Sequence, residues 1–357
     1  MRIARYAAAG ILALALPGAG IAPASAQAPV ELSPPTTPPA AKPVAKPAPK
    51  PAPPKPAPTQ AAAPPPPAAP RREVDIAYGA YQRGYYITAF AAATRRVEER
   101  KDPKAMTLLG ELYANGLGIE RDDKKAAEWY RLAAERGDRE AMFALAMLHF
   151  SGRSGAVNRE EGAKLLAAAA KLGNPAAAYD LGLLYIEGQL FPQDFARAAE
   201  LFRSAAQLGN PEAQYALATL YKEGRGVPKD LAEAGRLLAA ASLADNTDAQ
   251  VEYAIALFNG TGVAKNERLA AILLAKAARK GNPIAQNRLA NILAAGRGAN
   301  PNPVQAIKWH IIAKAGGVSD VPLDAFVQQQ PPHVRAAGEQ AAKPWVDALK
   351  ELRASRS

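Results

Sequence analysis

The chain has 357 residues, 44 Lys and Arg against 33 Asp and Glu for a net charge of +11, and no cysteine. Its length points to more than one folded unit, and the missing cysteine excludes disulfides, thiolate nucleophiles, thiolate zinc sites and lipid attachment through an N-terminal cysteine. The charge invites a nucleic-acid reading, but residues 1–26 hold +2 of it and residues 27–72 hold +5, which leaves the remainder mildly basic, so no nucleic-acid partner is expected.

Residues 1–26 read as a secretory signal. Arg2 and Arg5 form a short positive region, Ala7 to Leu16 is apolar, and Pro17 and Gly18 break it. Ala24-Ser25-Ala26 then offers the small residues that a signal peptidase reads. A membrane span needs roughly 20 apolar residues, and this stretch is shorter. The expected mature chain begins at Gln27, is periplasmic or secreted, and does not span the membrane after cleavage.

Residues 27–72 are nearly all Pro, Ala and Lys. Such a segment cannot bury enough apolar surface to offset the entropy of ordering, so it reads as a disordered linker. Its proline content favours an extended spacer of roughly 3.1 Å per residue, with a reach on the order of 100 Å. Lys42, Lys46, Lys50 and Lys55 give it a second reading as a weak contact for cell wall or another anionic surface. Residues 73–104 follow as a capping helix pair turning near Gly84.

A repeat of 36 residues then governs the text. Ala105 recurs as Ala141, Ala177, Ala213, Ala249 and Ala285. Five places on stands a small residue: Gly110, Ala146, Gly182, Ala218, Ala254 or Ala290. Bulky apolar residues flank it at helical spacing, as Leu109 and Leu112 do in the first unit. A glycine stops this helix in all six units, Gly116 being the first. Four units add a second turn glycine, at 118, 226, 262 and 298; Ser154 and Leu190 stand there in the second and third units, whose turns are expected to differ. The second helix carries Ala126, Trp129 and Ala133 in the first unit, with equivalents in the others, and stops at Gly137, Gly173, Gly209, Gly281 and Gly317, with Asp245 once. Each unit is thus one antiparallel helix pair, and stacking buries the face that one pair leaves open.

The pattern Ala-x-x-x-Leu-Gly-x-x-Tyr, Gly-x-Gly, Ala-x-x-Trp-x-x-x-Ala-Ala-x-x-Gly, written almost whole in residues 105–137, resembles the Sel-one-like repeat, a relative of the tetratricopeptide repeat. The resemblance covers 105–320 as six repeats. It implies an all-α fold, a right-handed α-α superhelix or solenoid of helix-turn-helix units. Gly84-Tyr85-Tyr86-Ile87-Thr88-Ala89 is similar to the mid-repeat turn of a tetratricopeptide unit. Residues 321–357 leave the frame: Leu323, Phe326 and Val327 predict one short helix, Pro331-Pro332 interrupts, and Val334 to Leu349 predicts a helix pair or one kinked helix, together capping the stack.

Catalytic motifs are lacking. The sequence has no Ser-x-x-Lys, Gly-x-Ser-x-Gly, His-Glu-x-x-His or Gly-x-x-x-x-Gly-Lys. Of three histidines, His149 stands in register with Tyr113, Tyr185 and Tyr221, and His310 with Tyr130, Leu166 and Phe202, so both read as packed helix residues. Asp122-Asp123 and Glu160-Glu161 begin second helices, where acids suit the helix dipole. No enzymatic activity, metal or cofactor is expected.

The resemblance implies that first helices line the inner face and that the protein binds another protein or a peptide, as an envelope or signalling scaffold or adaptor. On that frame Phe143, Tyr179 and Tyr215 share one row, and Phe150, Ile186, Lys222 and Phe258 another. Aromatic residues framed by polar ones suit a peptide groove; packing between neighbouring repeats is the competing use of the same rings. Two rival functions remain at this point, a peptidoglycan or carbohydrate binder using the aromatics and the basic linker, and a cell-wall hydrolase, for which no convergent carboxylate pair is visible.

Overall fold

Helix boundaries are written into the repeat twice per unit. An Asp or Asn caps every first helix, at 102, 138, 174, 210, 246 and 282, and every second helix, at 122, 158, 194, 230, 266 and 302. The side-chain oxygen accepts from a backbone N–H two or three residues on, satisfying a donor that the helix leaves unpaired. Proline at the first helical position, as in Pro175, Pro211 and Pro283, fits where no backbone donor is needed.

The computed structural model describes residues 75–355, and these form sixteen helices with no strand among them. The expected signal (1–26), the whole Pro-rich linker (27–72) and residues 73–74 lie outside the described residues. Helices α1 (Ile76–Gln82) and α2 (Tyr86–Arg100) form the first pair. The six repeat units pair α3 (Pro103–Asn115) with α4 (Asp123–Ala134), α5 (Arg139–Ser151) with α6 (Arg159–Lys171), and α7 (Pro175–Glu187) with α8 (Phe195–Gln207). They continue with α9 (Pro211–Glu223) and α10 (Leu231–Leu243), α11 (Thr247–Asn259) and α12 (Glu267–Arg279), and α13 (Pro283–Ala295) and α14 (Pro303–Ala315). Two further helices end the array, α15 (Val321–Gln329) and α16 (Pro332–Ala354), the latter a single helix that runs through Pro344. From α1 to α14 each helix packs on its neighbours in the chain, which is the contact pattern of an α-solenoid, and α16 packs on α14.

Size complementarity sets the spacing inside each pair. Tyr130 and Phe202, on second helices, lie against Gly110 and Gly182, where an added β-carbon would come within 2.6 Å of the ring. Where the second helix carries Leu166, Leu238 or Leu274, the facing residue is Ala146, Ala218 or Ala254. A large residue thus faces glycine and a smaller one stands in register with alanine, which keeps the interior close-packed.

Turn geometry follows the same economy. In the fourth unit Gly224 ends α9 with φ 75°, and Gly226 takes φ 70° while pressing on the backbone of Phe195 and Ala196 at the start of α8, in the preceding unit. Any side chain there would meet both a steric clash and a conformation that L-residues avoid. Ser154 and Leu190 do not take the left-handed conformation, so the turns of the second and third units do differ.

Candidate functional site

First helices meet side by side through their polar positions. Asn174, the cap of α7, is buried; its amide donates to Glu140 of α5 at 2.6 Å while its oxygen caps Ala177. Asn282 faces Asp248 the same way at 3.4 Å. Lys222 of α9 pairs with Glu252 of α11 at 2.8 Å. Gln214, Gln250 and Gln286 each donate to a carbonyl at the end of the preceding second helix, those of Ala206, Ser242 and Ala278. These capping and stitching groups escaped the sequence reading, although Asp/Asn and Gln at 36-residue spacing were the signal for them.

The predicted groove residues do not form one site. Phe143 and Phe150 pack partly buried on an apolar cluster shared by the second and third units, Tyr179, Ile186 and Tyr215 on that of the third and fourth, and Phe258 on that of the fifth and sixth. The ring of Phe150 lies on Gly162 of α6, where a β-carbon would come within 2.8 Å. Phe258 lies under the Arg297 guanidinium, 4.5 Å from its centroid. Lys222 is exposed and ion-paired. The Phe150–Phe258 row is thus largely taken up by packing within and between units.

The other row is half-buried in the same way. Tyr215 of α9 is half-buried. Burial, with Glu252 and Asp248 nearby, pushes its phenol well above the usual tyrosine value. Tyr179 lies 5.6 Å from Phe202 of its own unit, centroid to centroid. Water reaches Asp248, yet surrounding protein raises its carboxyl above the ordinary range, with the Glu252 charge adding to the effect. Charge separates between the two helix sets: the six first helices hold eight acids and four bases, net −4, and the six second helices hold seven acids and fourteen bases, net +7.

The histidines behave as packing groups. His149 is half-buried on α5, and His310 is buried in α14, with Nε2 2.7 Å from Asp324 Oδ1. Among the described residues no group of three or more potential metal ligands converges, and no helix is long and apolar enough to cross a membrane.

Six consecutive matches to the family described as Sel1 repeat cover residues 103–138, 139–174, 175–210, 211–246, 247–282 and 283–318. The chain belongs to the Sel1 repeat family. Sel1 repeat proteins generally mediate protein–protein interaction, and as a family they are typically not enzymes. A protective antigen of uropathogenic Escherichia coli displaying an SLR fold superposes with a TM-score of 0.65 at 25% identity, over 78% of this chain and 62% of that one. This chain thus spans less than two thirds of that relative. A Sel1 repeat protein from Oxalobacter formigenes gives a TM-score of 0.57 at 27% identity, over 70% of this chain and all of that one. No curated protein matches the chain.

Proposed function

We propose that this Sel1 repeat protein is an exported scaffold that captures a partner protein on its first-helix face. The carrying observation is the row of half-buried rings at one register, Phe143, Tyr179 and Tyr215, with Asp248 and Glu252 near Tyr215. Held rings of this kind supply contact area at low entropic cost, and interface energy concentrates in such residues. The excess of acids on first helices favours a partner whose contact surface is basic. Export rests on Arg2, Arg5, the apolar run to Leu16 and Ala24-Ser25-Ala26. The Pro-rich segment acts as a spacer ahead of the repeats, and envelope assembly or signalling control is the setting this organisation suits.

The test has two arms. Chemical cross-linking in the native host, read by mass spectrometry, identifies the partner, and retention is then compared between variants. Tyr179→Ala with Tyr215→Ala is expected to weaken capture, each ring contributing on the order of 2 kcal/mol. Replacing Lys42, Lys46, Lys50 and Lys55 by Ala is expected to leave capture unchanged. Loss of the partner in the lysine variant and not in the tyrosine variant, or retention by purified cell wall alone, overturns the groove reading. Intact-mass analysis of the exported protein is expected to show a chain starting at Gln27; a product retaining Met1 in the cytoplasm overturns export.

A further inference from the structure

The two edges of the array are unlike. The turns between units, where a second helix ends and the next first helix begins, expose a large aliphatic residue at four successive positions: Leu172, Leu208, Leu243 and Ile284, at 47, 54, 88 and 37%. The turns within units, on the opposite edge, expose one, Val157, among the described residues. The fold does not call for leucine at these places. The register of Leu172 and Leu208 is filled by Arg136 in the first unit and by Lys280 in the fifth, both exposed after second helices of the same kind. Neighbouring turns also touch: Arg139 donates to the carbonyls of Leu172 and Gly173 at 3.2 and 3.1 Å, and Lys280 to that of Asp245 at 3.0 Å. The leucines thus form one row on a shared edge, the kind of exposed apolar patch that marks an interaction surface.

The charges along this edge select its occupant. Residues 135–140 carry net −1, 171–176 net +1, 207–212 net −1, 243–248 net −2 and 279–284 net +2. The sum is close to zero, so the edge has no pull on anionic lipid headgroups. The order of the signs suits a second copy turned end for end about Leu208. The +1 turn then meets the −2 turn, the −1 turn at 135–140 meets the +2 turn, and Leu172 of one copy meets Leu243 of the other. Two groups left over inside one chain are matched in the same way. Lys171 has no ion-pair partner among the described residues, and Asp248 has only the Asn282 amide at 3.4 Å. Asp245, on the same turn as Asp248, is already taken by Lys276 and Lys280.

We infer that the inter-unit edge around Leu172, Leu208 and Leu243 is the contact of a two-fold dimer of this chain. The same patch serves both copies, and Lys171 of each pairs with Asp248 of the other. The row covers three unit spacings, roughly 30 Å at about 10 Å per packed helix. Its width is two helices of roughly 10 Å each, which gives on the order of 600 Å² a side. That is the small end of specific interfaces, so the dimer dissociates on dilution.

Sedimentation velocity of the full chain over a dilution series reads the association. Wild type is expected to pass from monomer to dimer with a micromolar dissociation constant. Leu172→Arg with Leu208→Lys writes into the middle of the row the residue types that the outer units already carry. It is expected to raise that constant about tenfold or more at an unchanged thermal melt, which separates a lost contact from a lost fold. Lys171→Glu is expected to weaken the dimer, and Asp248→Lys added in the same chain to recover it, because the two meet only across the two-fold axis. Tyr179→Ala with Tyr215→Ala is expected to dimerise as wild type does, so failure here and failure of the groove reading are told apart. A wild type that stays monomeric up to its solubility limit, a dimer untouched by the leucine variant, or a charge reversal that the second substitution does not repair overturns the proposal. So does flotation of wild type, and not of the leucine variant, with vesicles of phosphatidylglycerol and phosphatidylethanolamine while the protein alone is monomeric, because the occupant is then a bilayer.

Discussion

A β-carbon on Gly182 would lie 2.6 Å from the Phe202 ring, and Phe202 is fully buried, so the ring cannot swing aside. Gly182→Ala is therefore expected to cost about 1–3 kcal/mol in overpacking, partly offset by about 1 kcal/mol from the better helix propensity of alanine. Phe202→Leu alone leaves a void beside the glycine. The double variant recreates the Ala–Leu combination of the second, fourth and fifth units and is expected to recover most of the loss. Denaturant midpoints of the four proteins measure the coupling, and additive losses would contradict the complementarity argument. Ala205, also fully buried, offers the simpler case: Ala205→Leu is expected to cost about 1–3 kcal/mol. Asp245 works by charge rather than volume. It takes the left-handed conformation where other units have glycine, and its carboxylate meets Lys276 and Lys280, each at 2.7 Å. Those ammonium groups, with Gln250, hold its carboxyl far below the usual range. A depressed folded-state value means that the stabilisation is complete above the unfolded carboxyl's value of about 4 and is lost as the pH falls through the folded one. Asp245→Asn keeps the backbone preference and removes the charge. Its melting-temperature deficit is expected at neutral pH and should shrink steadily below about pH 4; a deficit constant with pH would mean that Asp245 acts through its backbone alone.

At the scale of helices and turns, Gly226 and Asn174 carry the geometry that joins one unit to the next. Gly226→Ala adds left-handed strain of roughly 1 kcal/mol to a clash with the Phe195 backbone, which cannot yield as a flexible side chain would. It is expected to be more damaging than Gly209→Ala, where φ is also positive but the site is open; equal melting temperatures would place the strain in conformation alone. Asn174→Ala removes a cap, worth about 1 kcal/mol, and also strips Glu140 of an inter-unit donor, whereas Asn302→Ala removes only an exposed cap. The first is expected to be the costlier of the two in thermal unfolding. This difference between elements explains what the sequence disclosed. Glycines and alanines at 36-residue spacing made the helix pairs and their stops readable, because each reports a local backbone or contact requirement. The Leu190 and Ser154 departures were visible too, and the turns do differ there. The fate of the aromatic rows was not readable. Whether Phe150 lies open or on Gly162, and whether Phe258 is free or under Arg297, depends on partners 12 and 39 positions away along the chain, which period alone does not pair.

For the whole molecule, a stack of units leaves an apolar face at each end, and the last two helices cover one of them. Trp345 of α16 meets Trp309 of α14 edge to face with centroids 5.4 Å apart. Gly338 allows α16 to lie directly on Ile307, which is fully buried. Asp324 of α15 binds both His310 and Lys314 of α14, at 2.7 and 2.8 Å, so the cover is fixed by charge as well as by packing. The neighbouring amides of Asn287 and Asn291 hold Asp320 at the start of α15. Removing residues 321–357 uncovers Ile307 and Trp309 together, an apolar end with no further unit to meet. In a nearest-neighbour stack the loss falls first on the terminal pair and then propagates inward. The truncated protein is expected to self-associate at concentrations where the intact one does not and to melt at lower temperature, as read by light scattering and circular dichroism. Gly338→Val is the companion variant, because its side chain would collide with Ile307 and lift α16 while the chain keeps its length. If both variants stayed monomeric with unchanged melts, α15 and α16 would not be a cap, and the end of the stack would have to be stable as α14 leaves it.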